Sequence, residues 1–155
     1  MIGLNQRYVG FEGGEGAGKS SVSREAIRLL APVAGFEIIS VREPGGTETG
    51  EKIRKILLPK EEWEFPLAHR AEALLFAAGR AQLVAEVIDP ALHRGAAVIS
   101  DRTFFSSIAY QGAARGLGMT QVLKINEFAL QETIPGCVIL LNIDPELGLG
   151  REGES

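Results

Sequence analysis

The sequence predicts a single-domain α/β fold, a parallel sheet covered by helices on both faces. Two observations carry this. Short apolar runs ending in glycine-rich or charged turns alternate along the chain with segments of helical period, and strands separated by helices pair in parallel. The length, 155 residues, suits one domain with a substantial core.

Tyr8 to Glu12 is an apolar run leading into glycines, the pattern of a buried parallel strand feeding a tight turn. Val22, Ala26, Leu29, Leu30 and Val33 then recur at helical spacing, with Gly35 placed to end the helix. Phe36 to Val41 reads as a second strand and 42–46 as a loop. A short helix follows from about Thr47 to Leu58, stopped by Pro59, with Lys60 to Pro66 as a polar connector. Leu67 to Ile88 is predicted as one long helix whose apolar stripe is Leu67, Ala71, Leu74, Ala78, Ala81, Ala85 and Ile88. Phe76 and Arg80 lie nearly opposite that stripe, together with Leu83 and Val87. Ala96 to Ser100 is a third strand ending at Asp101-Arg102, and Phe104 to Gly112 a short helix. After a loop at 112–118, Thr120 is the expected cap of a helix reaching about Thr133, and Pro135-Gly136 turns into a fourth strand, Cys137 to Ile143.

Hydrophobic residues make up 45% of the chain and charged residues 23%, which excludes disorder and a membrane class. A net charge of -4 argues against a general nucleic-acid binder, which needs a basic field. Nucleotides need only local cations. Cys137 is the single cysteine, so no disulfide framework or thiolate cluster is available, and its apolar strand predicts an inert core thiol. Met1 to Arg7 lacks the regions of a signal peptide, and no apolar run reaches the roughly 18 residues of a membrane helix. The expectation is a cytoplasmic protein with no membrane partner. His69 and His93 lack a second histidine or cysteine at ligand spacing and read as structural or surface residues.

The chemistry starts at Gly13-Gly14-Glu15-Gly16-Ala17-Gly18-Lys19-Ser20, a match to G-x-x-x-x-G-K-[ST] lying between a strand and a helix. Small residues let successive backbone N–H groups face phosphate oxygens, and the next helix adds the positive end of its dipole. In this pattern Lys19 reaches the β and γ phosphates and the Ser20 hydroxyl ligates Mg²⁺, with Ser21 alongside on the helix. A second acid is needed for the metal. Asp101 and Asp144 both end apolar strands. Asp101 is favoured because Arg102 follows it and can pair with phosphate, whereas Pro145 after Asp144 marks a helix start. The GTPase signature N-K-x-D is absent.

Three further segments accompany this loop: Arg42-Glu43-Pro44-Gly45-Gly46-Thr47, Leu75-Phe76-Ala77-Ala78-Gly79-Arg80, and Asp101-Arg102 through Ser106, Tyr110, Gln111 and Gly112. With Phe11 to Ser20 they resemble, in order, the motifs of the thymidylate kinase family over about Tyr8 to Asp144. The resemblance implies a three-layer P-loop kinase fold and transfer of the γ-phosphoryl group of ATP to dTMP, giving dTDP. Glu15 resembles the acid that contacts the deoxyribose 3′-hydroxyl; the lesser alternative is a solvated loop carboxylate, because an acid beside bound phosphates otherwise costs Coulomb energy. Arg42 resembles the arginine that holds the dTMP phosphate. Phe76 resembles the ring stacked on thymine and Arg80 the arginine bonded to the base. Spacing agrees, since i and i+4 on one helix side could form one wall of a cleft, although by periodicity alone a second packing face with an arginine at its edge is the better fit. Arg102 resembles the cation bridging the two phosphates. Ser107 and Gln111 fall near the thymine edge, and Tyr110 resembles the ring that crowds the ribose 2′ position or, read alone, is a core aromatic. A homodimer is implied too.

The family continues past Asp144-Pro145-Glu146 into an arginine-rich lid, further helices and a last strand. The resemblance therefore implies one domain, 1–155, shortened after about residue 145 and lacking the C-terminal strand and most of the lid, with Arg151 the remaining lid-like cation and Cys137 to Ile143 an apolar edge. Three readings stay open: dTMP kinase, a nucleotide-binding module impaired in transfer, and a P-loop kinase for another nucleoside monophosphate.

Overall fold

The computed structural model describes residues 4–60, 64 and 66–152. Most of the connector predicted at 60–66 lies outside these residues. Four strands, β1 (Leu4–Gly13), β2 (Ile38–Arg42), β3 (Ala97–Asp101) and β4 (Ile134–Leu141), form one sheet in the order β2-β3-β1-β4, with every pairing parallel. The helices between them are α1 (Lys19–Leu30), α2 (Glu48–Leu57), α3 (His69–Leu83), α4 (Asp89–His93), α5 (Phe104–Ser107) and α6 (Met119–Leu130), and α7 (Pro145–Glu152) follows β4. The predicted alternation of strand and helix is thus what folds.

Register decides which side chains meet. Tyr8 pairs with Val98, and Val98 with Ile39, so these residues share one face of the sheet. There Tyr8, Val41 and Val98 pack with Leu83, Val84, Ile88, Phe104 and Leu130 in one apolar cluster. Alternation turns Val9, Phe11 and Ile99 to the opposite face, and α1 packs on β1 and β3. Thr47 caps α2, its hydroxyl accepting from Gly50 N at 2.8 Å, an interaction worth about 1 kcal/mol.

Several expectations need correction. The buried side of α3 carries Ala73, Ala77, Arg80 and Leu83, whereas Leu74 and Ala78 of the predicted stripe are exposed. Alanines mark a period but contribute little area, so the larger Leu83, Val84 and Ile88 decide which side is buried. Val84–Ile88 also forms a π-helical turn joining α3 to α4, and its extra residue shifts the phase so that Ile88 meets the core. The predicted apolar side of α1 is exposed at Val22, Leu29 and Leu30, and Val33, also exposed, lies beyond the end of the helix at Leu30. The residue before α6 is Gly118, so Thr120 lies inside the helix. Pro135 and Gly136 belong to β4, Pro135 pairing with Asn5; on an edge strand proline forfeits no ladder bond. That edge position also exposes Cys137, expected to be a core thiol.

Gly10 in β1 is required by a close approach: a Cβ there would lie 2.4 Å from Thr103 Cγ2. Gly10→Ala should lower the unfolding free energy by about 1–3 kcal/mol through overpacking. Urea denaturation should show most of that loss recovered in Gly10→Ala/Thr103→Ser, which removes the clashing methyl and keeps the hydroxyl.

Candidate active site

The site begins where β1 stops. Gly18, at φ 83°, precedes α1, whose first turn contains no acidic residue, leaving its N–H groups and positive dipole end available to an anion. A Cβ at Gly16 would stand 2.0 Å from the Gly148 carbonyl oxygen, so α7 packs directly on the loop, and Arg151 Nη1 lies 3.5 Å from Gly16 O. Lys19 is buried, its Nζ donating to Gly14 O at 2.6 Å and Gly13 O at 3.1 Å. Burial pushes this amine below the ordinary lysine range, and Arg102 pushes the same way while Asp101 opposes them. Ser20 Oγ donates to Asp101 Oδ2 at 2.5 Å, so the two predicted metal ligands meet although they come from α1 and β3. Asp144 instead accepts from Glu146 N at 2.9 Å, the helix-start role read from Pro145. Ser21 is exposed on α1.

Arg102 follows Asp101 with a left-handed φ of 72°. Two backbone contacts hold that turn: Arg102 N donates to Phe11 O at 2.9 Å, and Ser100 Oγ donates to Arg102 O at 2.6 Å. The guanidinium donates to Ser106 Oγ at 3.1 Å and lies 5.4 Å from the Tyr110 ring centroid, a cation–π contact.

Beyond Arg102 opens a cavity of about 610 Å³. Its walls bring together Glu15, Phe76, Arg80, Arg102, Ser107, Tyr110 and Gln111 from three separate segments. Tyr110 and Gln111 sit in a π-helical stretch, Ile108–Ala114, that continues α5. Arg80, only 2% exposed, is fixed on several sides. Its Nε and Nη2 each lie 2.6 Å from Glu43 Oε2, Nη2 donates to Ser107 Oγ at 3.2 Å, and Nη1 donates to Asn126 Oδ1. Burial pushes the Glu43 carboxyl above the ordinary carboxylate range, with the Arg80 guanidinium pulling against it. Glu43 Oε1 is buried without a hydrogen-bond partner among the described residues. Gln111 Nε2 donates to Glu72 Oε1 at 2.7 Å, which fixes its amide.

The thymidylate kinase family model matches residues 11–155. The chain belongs to the thymidylate kinase family. It is 46% identical over 144 residues to a thymidylate kinase of Lactobacillus delbrueckii subsp. bulgaricus, covering 93% of this chain and 67% of the relative. It is 45% identical over 151 residues to one of Bacillus velezensis, covering 97% and 68%. The crystal structure of thymidylate kinase from Ehrlichia chaffeensis superposes with a TM-score of 0.81 at 29% identity, covering 95% of this chain and 83% of that one. The chain spans about two thirds of the length of the curated relatives it matches.

The thymidylate kinase motifs therefore converge on one edge of the sheet, with one departure. Arg42 does not line the cavity; its Nη2 pairs with Glu51 at 3.0 Å, and Glu51 also accepts from Gly46 N at 3.0 Å. These two contacts hold the Glu51 carboxyl below the ordinary range, the Gly46 N–H more than Arg42. Arg54, Glu72 and Arg115 line the cavity without having been singled out in the sequence. Glu43 and Asn126 were missed as partners of Arg80, and Glu12 as a buried carboxylate in β1. Only Glu12 carried a signal, a charge inside a strand otherwise read as buried.

Phosphate charge favours the Lys19 ammonium, so nucleotide binding raises a pKa that the protein has lowered. In alkaline solution, where the free amine has begun to lose its proton, binding should take up protons and affinity should fall as pH rises. Calorimetry in buffers of different ionisation enthalpy should show that uptake, and Lys19→Met should abolish it.

Proposed function

We propose that this chain transfers the γ-phosphoryl group of ATP to dTMP, and that the cavity beside the P-loop is the dTMP site. The observation that carries the reading is the buried Arg80 guanidinium, oriented by Glu43 and Asn126 in a cavity that Phe76 also lines. A planar base takes a ring face and a fixed N–H donor together, the usual composition of a small-molecule site. Phe76 stacks on thymine, Arg80 donates to a base carbonyl, and Ser107 and Gln111 complete its edge. Tyr110 borders the ribose, and Glu15 accepts from the 3′-hydroxyl. Arg54 lines the cavity and Arg42 is bound to Glu51; a phosphate dianion competes with Glu51 for Arg42.

The donor side follows from the P-loop. The N–H groups of Gly13 to Ser20, with Ser21 adjacent, cradle the ATP phosphates, and Lys19 reaches their β and γ oxygens. Ser20 and Asp101 are hard oxygen donors in contact with each other, a pair that would suit Mg²⁺. Bound there, the ion supplies charge neutralisation on the β and γ phosphates. Arg102, between the loop and the cavity, offers its charge to both phosphate groups. An oxygen of the dTMP phosphate attacks the γ phosphorus, the bond to the β–γ bridging oxygen breaks, and ADP leaves. The attacking oxygen is already ionised at neutral pH, so alignment and cations carry the rate and no strong base is required.

No helix among the described residues is long and apolar enough to cross a membrane, and the reading places the reaction in the cytoplasm. It also includes a homodimer, for which the exposed Leu74 of α3 and Phe128 of α6 offer apolar surface on helices that pack together.

A coupled assay of ADP release should show turnover with dTMP and dUMP well above that with dCMP, dGMP or AMP. Equal rates would remove the thymine assignment, and nucleotide binding without dTMP-dependent turnover would support a binding module. Phe76→Ala should raise the KM for dTMP by about 5- to 160-fold, as expected from about 1–3 kcal/mol of base stacking, with little change in the KM for ATP.

A further inference from the structure

Glu12 is an acid inside the central strand of the sheet, 6% exposed. Its Oε1 accepts from Thr103 N at 2.8 Å, Thr103 Oγ1 at 2.7 Å and Ser106 N at 3.2 Å, and its Oε2 accepts from Ser106 Oγ at 2.6 Å. The carboxylate thus ties the residue just before the P-loop to the segment just after Asp101-Arg102. Ser106 continues the chain, since its Oγ accepts from Arg102 Nη1 at 3.1 Å.

The direction of these bonds matters as much as their number. A serine hydroxyl has one proton and two lone pairs, and an ionised carboxylate only accepts. Glu12 therefore accepts the hydrogen bond of the Ser106 hydroxyl and leaves the hydroxyl's lone pairs open, one of which accepts from the Arg102 guanidinium. We infer that Glu12 is a positioning residue for phosphoryl transfer, setting the polarity of the Ser106 hydroxyl so that it holds Arg102 at the phosphates. This rests on the reading of Arg102 as the phosphate-bridging cation.

Glu12→Gln tests polarity with almost no change of shape. Three donors converge on the Oε1 position, so the glutamine oxygen must occupy it and the amide nitrogen must face Ser106. That nitrogen donates to Ser106 Oγ and occupies one of its two lone pairs, so the hydroxyl proton loses its acceptor and competes with the Arg102 guanidinium for the remaining positions around the oxygen. The loss of rate is expected at about 10- to 100-fold, the scale on which small misplacements act.

Steady-state kinetics should be measured for the parent, Glu12→Gln, Ser106→Ala, the double variant and Arg102→Ala. The expected result is a lower kcat in Glu12→Gln and Ser106→Ala with the KM values for ATP and dTMP within about threefold, which corresponds to under 1 kcal/mol. In the Ser106→Ala background Glu12→Gln should add no further loss. Losses that multiply would show that Glu12 acts through general structure and would overturn the relay. So would a parental kcat in Glu12→Gln while Arg102→Ala is impaired. A parental rate in Arg102→Ala would instead remove the underlying reading of Arg102. If Glu12→Gln does not fold, Ser106→Ala alone decides: an unchanged kcat contradicts the relay.

Discussion

The structure depends first on the parallel pairing of β1 with β3, in the register that sets Phe11 opposite Asp101. Parallel strands end at the same edge, so the turn after β1 and the turn after β3 become neighbours although about ninety residues separate them in sequence. Everything the P-loop requires from elsewhere arrives by this route. Ser20 meets Asp101, and Arg102 comes within reach of the loop backbone, its Nη1 lying 3.5 Å from Gly13 O. Pairing of β2 with β3 brings Arg42 opposite Asp101, which sets the Arg42-Glu43-Pro44 loop on the same edge.

Apolar burial holds the sheet to its helices, but polar contacts inside that core place the functional groups. The Arg80–Glu43 pair is almost fully buried. A pair of this kind adds little net stability over an apolar substitute, while loss of one partner costs about 3–5 kcal/mol because a charge is left unpaired. Its consequence lies in orientation: Glu43 and Asn126 leave the guanidinium few alternatives. Glu12 acts similarly at the end of β1, accepting from backbone and hydroxyl groups of the segment that carries Thr103 and Ser106. Both acids belong to segments whose neighbours bind substrate in the proposed mechanism, which links the rigidity of the core to the alignment that phosphoryl transfer demands.

Contiguous features were legible in the sequence. The P-loop, the strand ending in Asp101-Arg102 and the helix carrying Phe76 and Arg80 could each be read because spacing within one element fixes their geometry. Partners that meet only through folding were not. Glu43 and Asn126 lie 37 and 46 positions from Arg80, and no local pattern announces them. Arg42 illustrates the reverse case, a motif residue whose own guanidinium is bound by Glu51 nine positions away. The α3 stripe failed because alanines signal period more strongly than burial, and because π-helical turns such as Val84–Ile88 change phase without a sequence mark. Exposure of Cys137 followed from strand order, which hydropathy does not encode.

In the proposed mechanism one edge of the sheet holds a phosphate donor and a thymine nucleotide side by side, with Arg102 between them. A crystal structure of this chain with dTMP and a non-hydrolysable ATP analogue tests it most directly. Thymine should be found stacked on Phe76 and bonded to Arg80, with the analogue's phosphates on the P-loop and Arg102 in contact with phosphate. Finding dTMP outside the cavity, or Arg102 turned away from both nucleotides, would contradict it.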